Sequence, residues 1–374
     1  MAPVPYPARA LDGDRVLAES DAAIRVDHPN AAPELWFPRR DVVDGTLGRP
    51  GSGDLAEHVA FDHEQVRLEV VDTVPGDDPR DVTVKRFPFW GDATDLIDIL
   101  DVRPQGDGTF DSVVPCYDWR RPVVEGSQIL GQALVAASRH APGRRAVAAS
   151  MVFPRAADAR TPYRIALDEV TSGRTFTALR AEATQGGRTC GYGTVLLDVT
   201  APDVIRHADQ APEVGRPYDA TPYDMSVTGR DLRIVDDAYT GDPDAPVGPP
   251  VLDAWVRFRQ VPDDPALHAG LLAQFTGHLS IAAALRPHAG VGQDQAHRTL
   301  STAINAISLS IHRDVRADRW MRYHHRSTFA GDGMTHAECR VYDEGGQVLA
   351  SFTVDAMVRG FPDPTSTADD RTAM

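Results

Sequence analysis

Gln274 and His278 stand four residues apart in a stretch, residues 271–285, where apolar side chains recur at helical spacing and Pro287 closes the segment. One helical turn puts both on one face, bracketing Gly277, where a missing side chain lets backbone approach a ligand closely. An imidazole titrates near neutral pH, so His278 can act as acid or base, although a lone histidine on an apolar helix is more often a hydrogen-bonded structural group. Asn305 interrupts the apolar face of a run of period two at residues 302–312, and a buried amide there is either tied to backbone or aimed at a ligand. Ser301 and Thr302 precede the strand and are candidate ligand contacts. Asp355 stands on the polar side of a second alternating run at 348–358, where exposure or ion pairing is the default. Earlier in the chain, Glu125, Gln128 and Gln132 flank the start of another helical segment at 125–140, with Gly131 among them. Glu125 is a second candidate base. His297, His324 and His325 lack metal-ligand company and default to the surface, so no metal site is expected.

These residues need elements to carry them. The later helix is followed by alternating strands, and Asp343-Glu344-Gly345-Gly346 reads as a hairpin turn before the last one. The earlier helix is followed by Ser150-Met151-Val152-Phe153-Pro154-Arg155, which resembles Ser308-Leu309-Ser310-Ile311-His312-Arg313, and by a turn at Gln185-Gly186-Gly187. Laying Gly131-Gln132 over Gly277-His278 makes Gln132 the counterpart of His278. The chain therefore reads as an internal duplication of roughly a hundred residues per copy, each a helix against an antiparallel sheet.

Several motifs in one order give a resemblance. Asp98-Ile99-Leu100, Gly126-Ser127-Gln128-Ile129-Leu130-Gly131-Gln132-Ala133-Leu134, Trp255-Val256-Arg257, Pro262-Asp263-Asp264, Leu285-Arg286-Pro287-His288, His312-Arg313 and Leu349-Ala350-Ser351 look like the acyl-CoA thioesterase II (TesB-like) family over residues 92–361. The resemblance implies an α+β class and a double hotdog fold, two long helices each wrapped by an antiparallel sheet. It also implies a thioester carbonyl held at a helix N-terminus, where charge growing on oxygen meets unsatisfied N–H groups. The family's Asp, Thr and Gln would fall at Gly277, Ile304 and Val354 here, so the usual water-activating set is replaced. His278, Asn305 and Asp355 are the expected catalytic substitutes. Gly277, Gln274, Thr302, Gly131, Gln132 and Glu125 are the expected substrate contacts.

A 42% hydrophobic and 25% charged composition suits a globular chain, and residues 1–76 add short strand-like runs separated by Gly, Pro and Asp. They read as a small β-rich module resembling a bacterial domain of unknown function through Trp36-Phe37-Pro38 and Asp41-Val42, whose aromatics pack on the body or mark a partner surface. Residues 77–201 then form the first hotdog, 202–250 a Pro- and Asp-rich crossing, 251–361 the second hotdog and 362–374 a frayed tail, with a linker at 75–79. A net charge of −16 disfavours nucleic acid, and no apolar run spans a bilayer or heads a signal peptide, so a cytoplasmic chain without a membrane partner is expected. Cys116, Cys190 and Cys339 are distant and odd in number, hence reduced thiols. No cofactor is expected, and assembly into a homo-oligomer is. The leading function is hydrolysis of acyl-CoA or acyl-carrier-protein thioesters. The alternatives are a hotdog lyase, dehydratase or cyclase, or a non-catalytic acyl-binding protein.

Overall fold

The computed structural model describes residues 1–73, 79–239 and 241–361, in two compact units. The larger holds residues 96–115, 123–221 and 232 onward; the smaller holds 1–95, 116–122 and 222–231.

The larger unit opens its repeat with helix α1 (Gly126–His140) and strands β1 (Arg145–Val152), β2 (Arg164–Ser172), β3 (Phe176–Gln185) and β4 (Arg188–Asp198). The second half supplies β5 (Val251–Phe258), helices α2 (Pro265–Phe275) and α3 (Ser280–Leu285), then β6 (Leu300–Ile311), β7 (Met321–Gly331), β8 (Met334–Asp343) and β9 (Val348–Gly360). Their order across one sheet is β2-β3-β4-β1-β6-β9-β8-β7-β5. The seam between halves is the antiparallel pair β1·β6, in which Ala148 faces Ser310, Ser150 faces Ser308 and Val152 faces Ala306. Because Ser150 and Ser308 are counterparts in the repeat, this pairing is self-complementary, the signature of a twofold relation between the halves. Both expected turns are present: Gly186 and Gly187 take φ of 57° and 73°, and Asp343 N–H donates to Gln347 O across the other hairpin.

α1 lies against β1, β2 and β4, and α3 against β5, β7, β8 and β9. α1 is rich in strong helix formers, ends on Arg139 and His140, which complement the macrodipole, and buries Ile129, Leu130, Ala133 and Leu134 almost completely. The second helical segment is not the single helix that its apolar pattern predicts. It begins at Pro265 with Asp264 capping the Ala266 N–H at 2.9 Å, and it breaks after Phe275. The Thr276 hydroxyl bonds back to Ala273 O at 2.6 Å, Leu279 takes a left-handed φ of 69°, and helix resumes at Ser280.

The helix register also differs from the sequence alignment. A Cβ on Gly131 would lie 2.7 Å from Gly270 O and 3.5 Å from Gln274 N, and one on Gly270 would lie 2.8 Å from the Val135 side chain. Arg139 binds Asp264 at 3.1 Å, and His278 faces Glu125 at 3.6 Å. These contacts are reciprocal if Glu125 matches Asp264, Gly131 matches Gly270, Val135 matches Gln274 and Arg139 matches His278, a constant separation of 139 (264 less 125). Gly131 therefore permits α1 and α2 to cross at backbone contact, and the true counterpart of His278 is Arg139 rather than Gln132.

The smaller unit pairs Arg15–Ser20, Ala8–Asp12, Arg67–Asp72 and Thr83–Phe87 in one sheet, and builds a second around Ile24–His28, Ala31–Pro38 and His58–Phe61. The expected module boundary at residue 76 falls inside it, since Arg67–Asp72 and Thr83–Phe87 are neighbours. Phe37 meets Phe61 edge to face at 5.8 Å in its core, and Trp36 is 3% exposed, so neither aromatic forms an open surface. Val227–Thr228, from the expected crossing, pairs in parallel with Gly91–Asp92. Lys85, the sole lysine of the chain, is buried here and donates to Val227 O at 2.9 Å and Arg230 O at 3.0 Å, with Asp72 at 3.8 Å. The expected linker lies mostly, and the tail wholly, outside the described residues.

Candidate active site

The break in the second helical segment puts Gly277 and His278 at a partly exposed corner, facing the first turn of α1. His278 Nε2 lies 3.6 Å from Glu125 Oε2, with the histidine side chain 11% and the glutamate 46% exposed. That pair carries net attraction once the imidazole is protonated. The ring stacks on Phe275, centroids 4.7 Å apart and nearly parallel, which fixes its plane. Glu125 holds the N-cap position of α1 in extended conformation, so the positive end of a fifteen-residue helix opens beside the pair.

Behind the corner the interior is polar where apolar packing is the rule. Tyr323 O–H donates to Leu272 O at 2.9 Å, and its ring packs on Phe275. His325, two residues on and facing the same way, is fully buried; its Nδ1 stands 3.1 Å from the Ser280 hydroxyl and 3.4 Å from Cys339 Sγ. Burial, with neighbouring His324 and His278, pushes the His325 imidazole down to about 3, so it is neutral at physiological pH. Burial likewise pushes the Cys339 thiol up to about 12. His325 does not take the surface position expected for it, and His324 is bound to Asp253 at 3.1 Å. The signal was present: in β7 the buried residues Met321, Tyr323, His325 and Ser327 alternate, which places His325 with the inward set.

The remaining candidates divide. Asn305 occupies a β-bulge, where pairing with β9 passes from Ile304–Ala356 to Ala306–Asp355 without it. Its carbonyl accepts from Phe153 N–H at 2.8 Å, and its buried side-chain Oδ1 has no hydrogen-bond partner among the described residues. The corresponding bulge in β1 falls at Val147, so the duplicated irregularity carries a polar side chain only in the second half. Thr302 is buried and stands 3.3 Å from His297 Nε2. Gln274 is buried on the α1·α2 seam, its Oε1 without a partner among the described residues. Gln132 is fully engaged in structure: its amide N–H donates to Ile99 O at 2.7 Å and its oxygen accepts from Tyr163 O–H, so it is a core residue rather than a ligand contact. Asp355 bonds His336 at 2.7 Å on the side of β9 opposite buried Val354 and Ala356, and is not brought together with His278. Gly131 meets helix backbone, not a ligand. Ile304, paired with Ala356, and Val354 leave that inward strand surface apolar.

Among the described residues no three His, Cys, Asp or Glu side chains converge as a metal site, and no helix is long and apolar enough to cross a membrane.

Comparison with known proteins agrees with this layout. Residues 117–198 match the acyl-CoA thioesterase N-terminal domain, and residues 203–358 match the acyl-CoA thioesterase C-terminal domain. Acyl-coenzyme A thioesterase 8 of Mus musculus is 23% identical over 268 residues, covering 63% of this chain and 79% of its own. Acyl-CoA thioesterase 2 of Haemophilus influenzae is 24% identical over 254 residues, covering 63% and 87%. Among solved structures, an acyl-CoA thioesterase II of Mycobacterium marinum superposes with a TM-score of 0.60 at 24% identity, covering 71% of this chain and 99% of that one. A hotdog-fold protein of Alicyclobacillus acidocaldarius reaches 0.57 at 17% identity, covering 71% and 98%.

Proposed function

We infer the reaction from the premise that this chain belongs to the TesB-like acyl-CoA thioesterase II family: it hydrolyses an acyl thioester, carried by CoA or by a carrier protein, in a double hotdog whose active site is non-standard. The observation that carries this reading is the Glu125–His278 pair beside the N-terminal turn of α1. His278 takes a proton from water, and the resulting hydroxide attacks the thioester carbon. Charge developing on the carbonyl oxygen is met by the N–H groups of Gly126 and Ser127 at the start of α1, since the N–H groups of Gln128 and Ile129 already donate to Glu125 O. The tetrahedral intermediate collapses with cleavage of the C–S bond, and the imidazolium returns the proton to the departing thiolate. Glu125 lowers the energy of that imidazolium through charge.

The departures at Gly277, Ile304 and Val354 belong to the same reading. With Ile304 and Val354 apolar, the task of holding water falls to groups at the helix corner. Family membership favours hydrolysis over the lyase, dehydratase, cyclase and non-catalytic alternatives.

The test is release of free thiol, followed with a thiol reagent, from a panel of acyl-CoA esters of increasing chain length. Turnover with at least one ester is expected; no release with any of them rejects the reading.

A further inference from the structure

The contact between α1 and the break after α2 is made by Ser127 and Gly277. A Cβ on Gly277 would stand 2.3 Å from Ser127 Oγ, so the glycine leaves room for the hydroxyl and for nothing larger. Ser127 is fully buried, and its Oγ has no hydrogen-bond partner among the described residues. A buried hydroxyl in that condition is unfavourable unless something outside the chain satisfies it.

The duplication supplies an internal control. Under the helix correspondence given by the reciprocal contacts, Ser127 matches Ala266 and Gly277 matches Ser138, so the position equivalent to the buried serine is alanine and the one equivalent to the glycine is serine. Ser138 lies in the last turn of α1 and donates to Leu134 O, one turn back, at 2.9 Å. Ser127 is the second residue of the same helix, with no helical carbonyl one turn before it. Its hydroxyl therefore stays available at the positive end of the helix, next to Gly277 and His278, which are partly exposed.

We propose that Ser127 is a substrate-contacting residue of this site, its hydroxyl donating a hydrogen bond to the carbonyl oxygen of the bound thioester alongside the N–H groups of the first turn. The proposal rests on the hydrolytic reading for the identity of the ligand, an acyl thioester or its carbonyl-bearing analogue. It makes the serine an oxyanion donor, not a nucleophile, so no acyl-enzyme forms. Gly277 then serves the site by leaving room for that hydroxyl.

The experiment uses the full chain and an acyl-CoA ketone, in which a methylene replaces the thioester sulfur and the carbonyl carbon is ¹³C-labelled. In the wild type the carbonyl resonance should move downfield on binding. In Ser127→Ala it should return part of the way to the free value, the backbone N–H groups holding the remainder, and kcat on the hydrolysable ester should fall about a hundredfold to a thousandfold, the range for removing an oxyanion donor. Melting temperature should hold or rise, because the variant removes an unsatisfied buried hydroxyl. Gly277→Ala, whose added methyl displaces the hydroxyl, should reproduce the loss of shift. An unchanged carbonyl shift in Ser127→Ala, or a lowered melting temperature with kcat intact, overturns the proposal, as does an analogue that does not bind. If the shift follows the hydroxyl while the wild type releases no thiol, the proposal stands and the hydrolytic reading falls.

Discussion

The hydroxyls of Ser150 and Ser308 lie 2.8 Å apart, and each serine is the other's counterpart in the repeat, separated by 158 positions (308 less 150). The twofold axis relating the strands therefore passes between them. Phe153 N–H donates to Asn305 O, three pairs along the same ladder, so by alternation Ser150 and Ser308 occupy a non-hydrogen-bonded position, where Cα atoms approach to about 4.5 Å.

That spacing fits a disulfide. The double variant S150C/S308C should close a cross-link on oxidation, read as a mass loss of two hydrogen atoms in the intact chain and as resistance to unfolding. The stabilisation expected is about 2–4 kcal/mol, chiefly from the long loop that the bond closes. A shift of register by one residue would turn the two side chains to different faces and leave the thiols free.

The two ends of the helix seam differ in chemistry although they correspond in geometry. Arg139–Asp264 is permanently charged, whereas His278–Glu125 is charged only when the imidazole is protonated. His278→Asn should reduce thioester hydrolysis by about 10²–10⁴, the usual contribution of a general base. Asp355→Asn, which alters a pair on the outer side of β9, should leave the rate at the wild-type level. Steady-state thiol release on the two variants separates a site at the helix corner from one that includes the last strand.

Acid should weaken the protein through His325. Its folded-state value is about 3 against 6.5 for the free group, so between those values the unfolded chain holds a proton that the native chain refuses. Stability then falls as pH drops from 6.5 toward 3, by about 1.4 kcal/mol per pH unit for one proton, with no contribution from this residue above 6.5. Replacing His325 with Gln should flatten that part of a denaturant midpoint against pH profile. An unchanged slope would place the uptake elsewhere.

The strands and their turns were legible because alternation has a period of two and glycine marks the turn positions, as at Gly186-Gly187 and Gly345-Gly346. The helix register was not. Two turns of helix take about seven residues, so sliding the second segment by seven positions returns its apolar face almost to where it began. Pairing Gly131 with Gly277 and with Gly270 therefore looks equally good in sequence, and only the contacts at Val135, Gln274, Arg139 and Asp264 decide. The bulge at Asn305 was likewise invisible, since one extra residue changes phase without changing composition. Ser127 was read only as part of a family motif: nothing in a linear string marks a hydroxyl as lacking a helical acceptor.

The chain's sole lysine, Lys85, spends its amine on two backbone carbonyls inside the smaller unit and is 4% exposed. Acylating reagents aimed at side-chain amines consequently find no accessible target on the folded protein. Covalent immobilisation or dye labelling through lysine becomes a sensor of unfolding, because Lys85 reacts only after the segment around Val227 and Arg230 has let go.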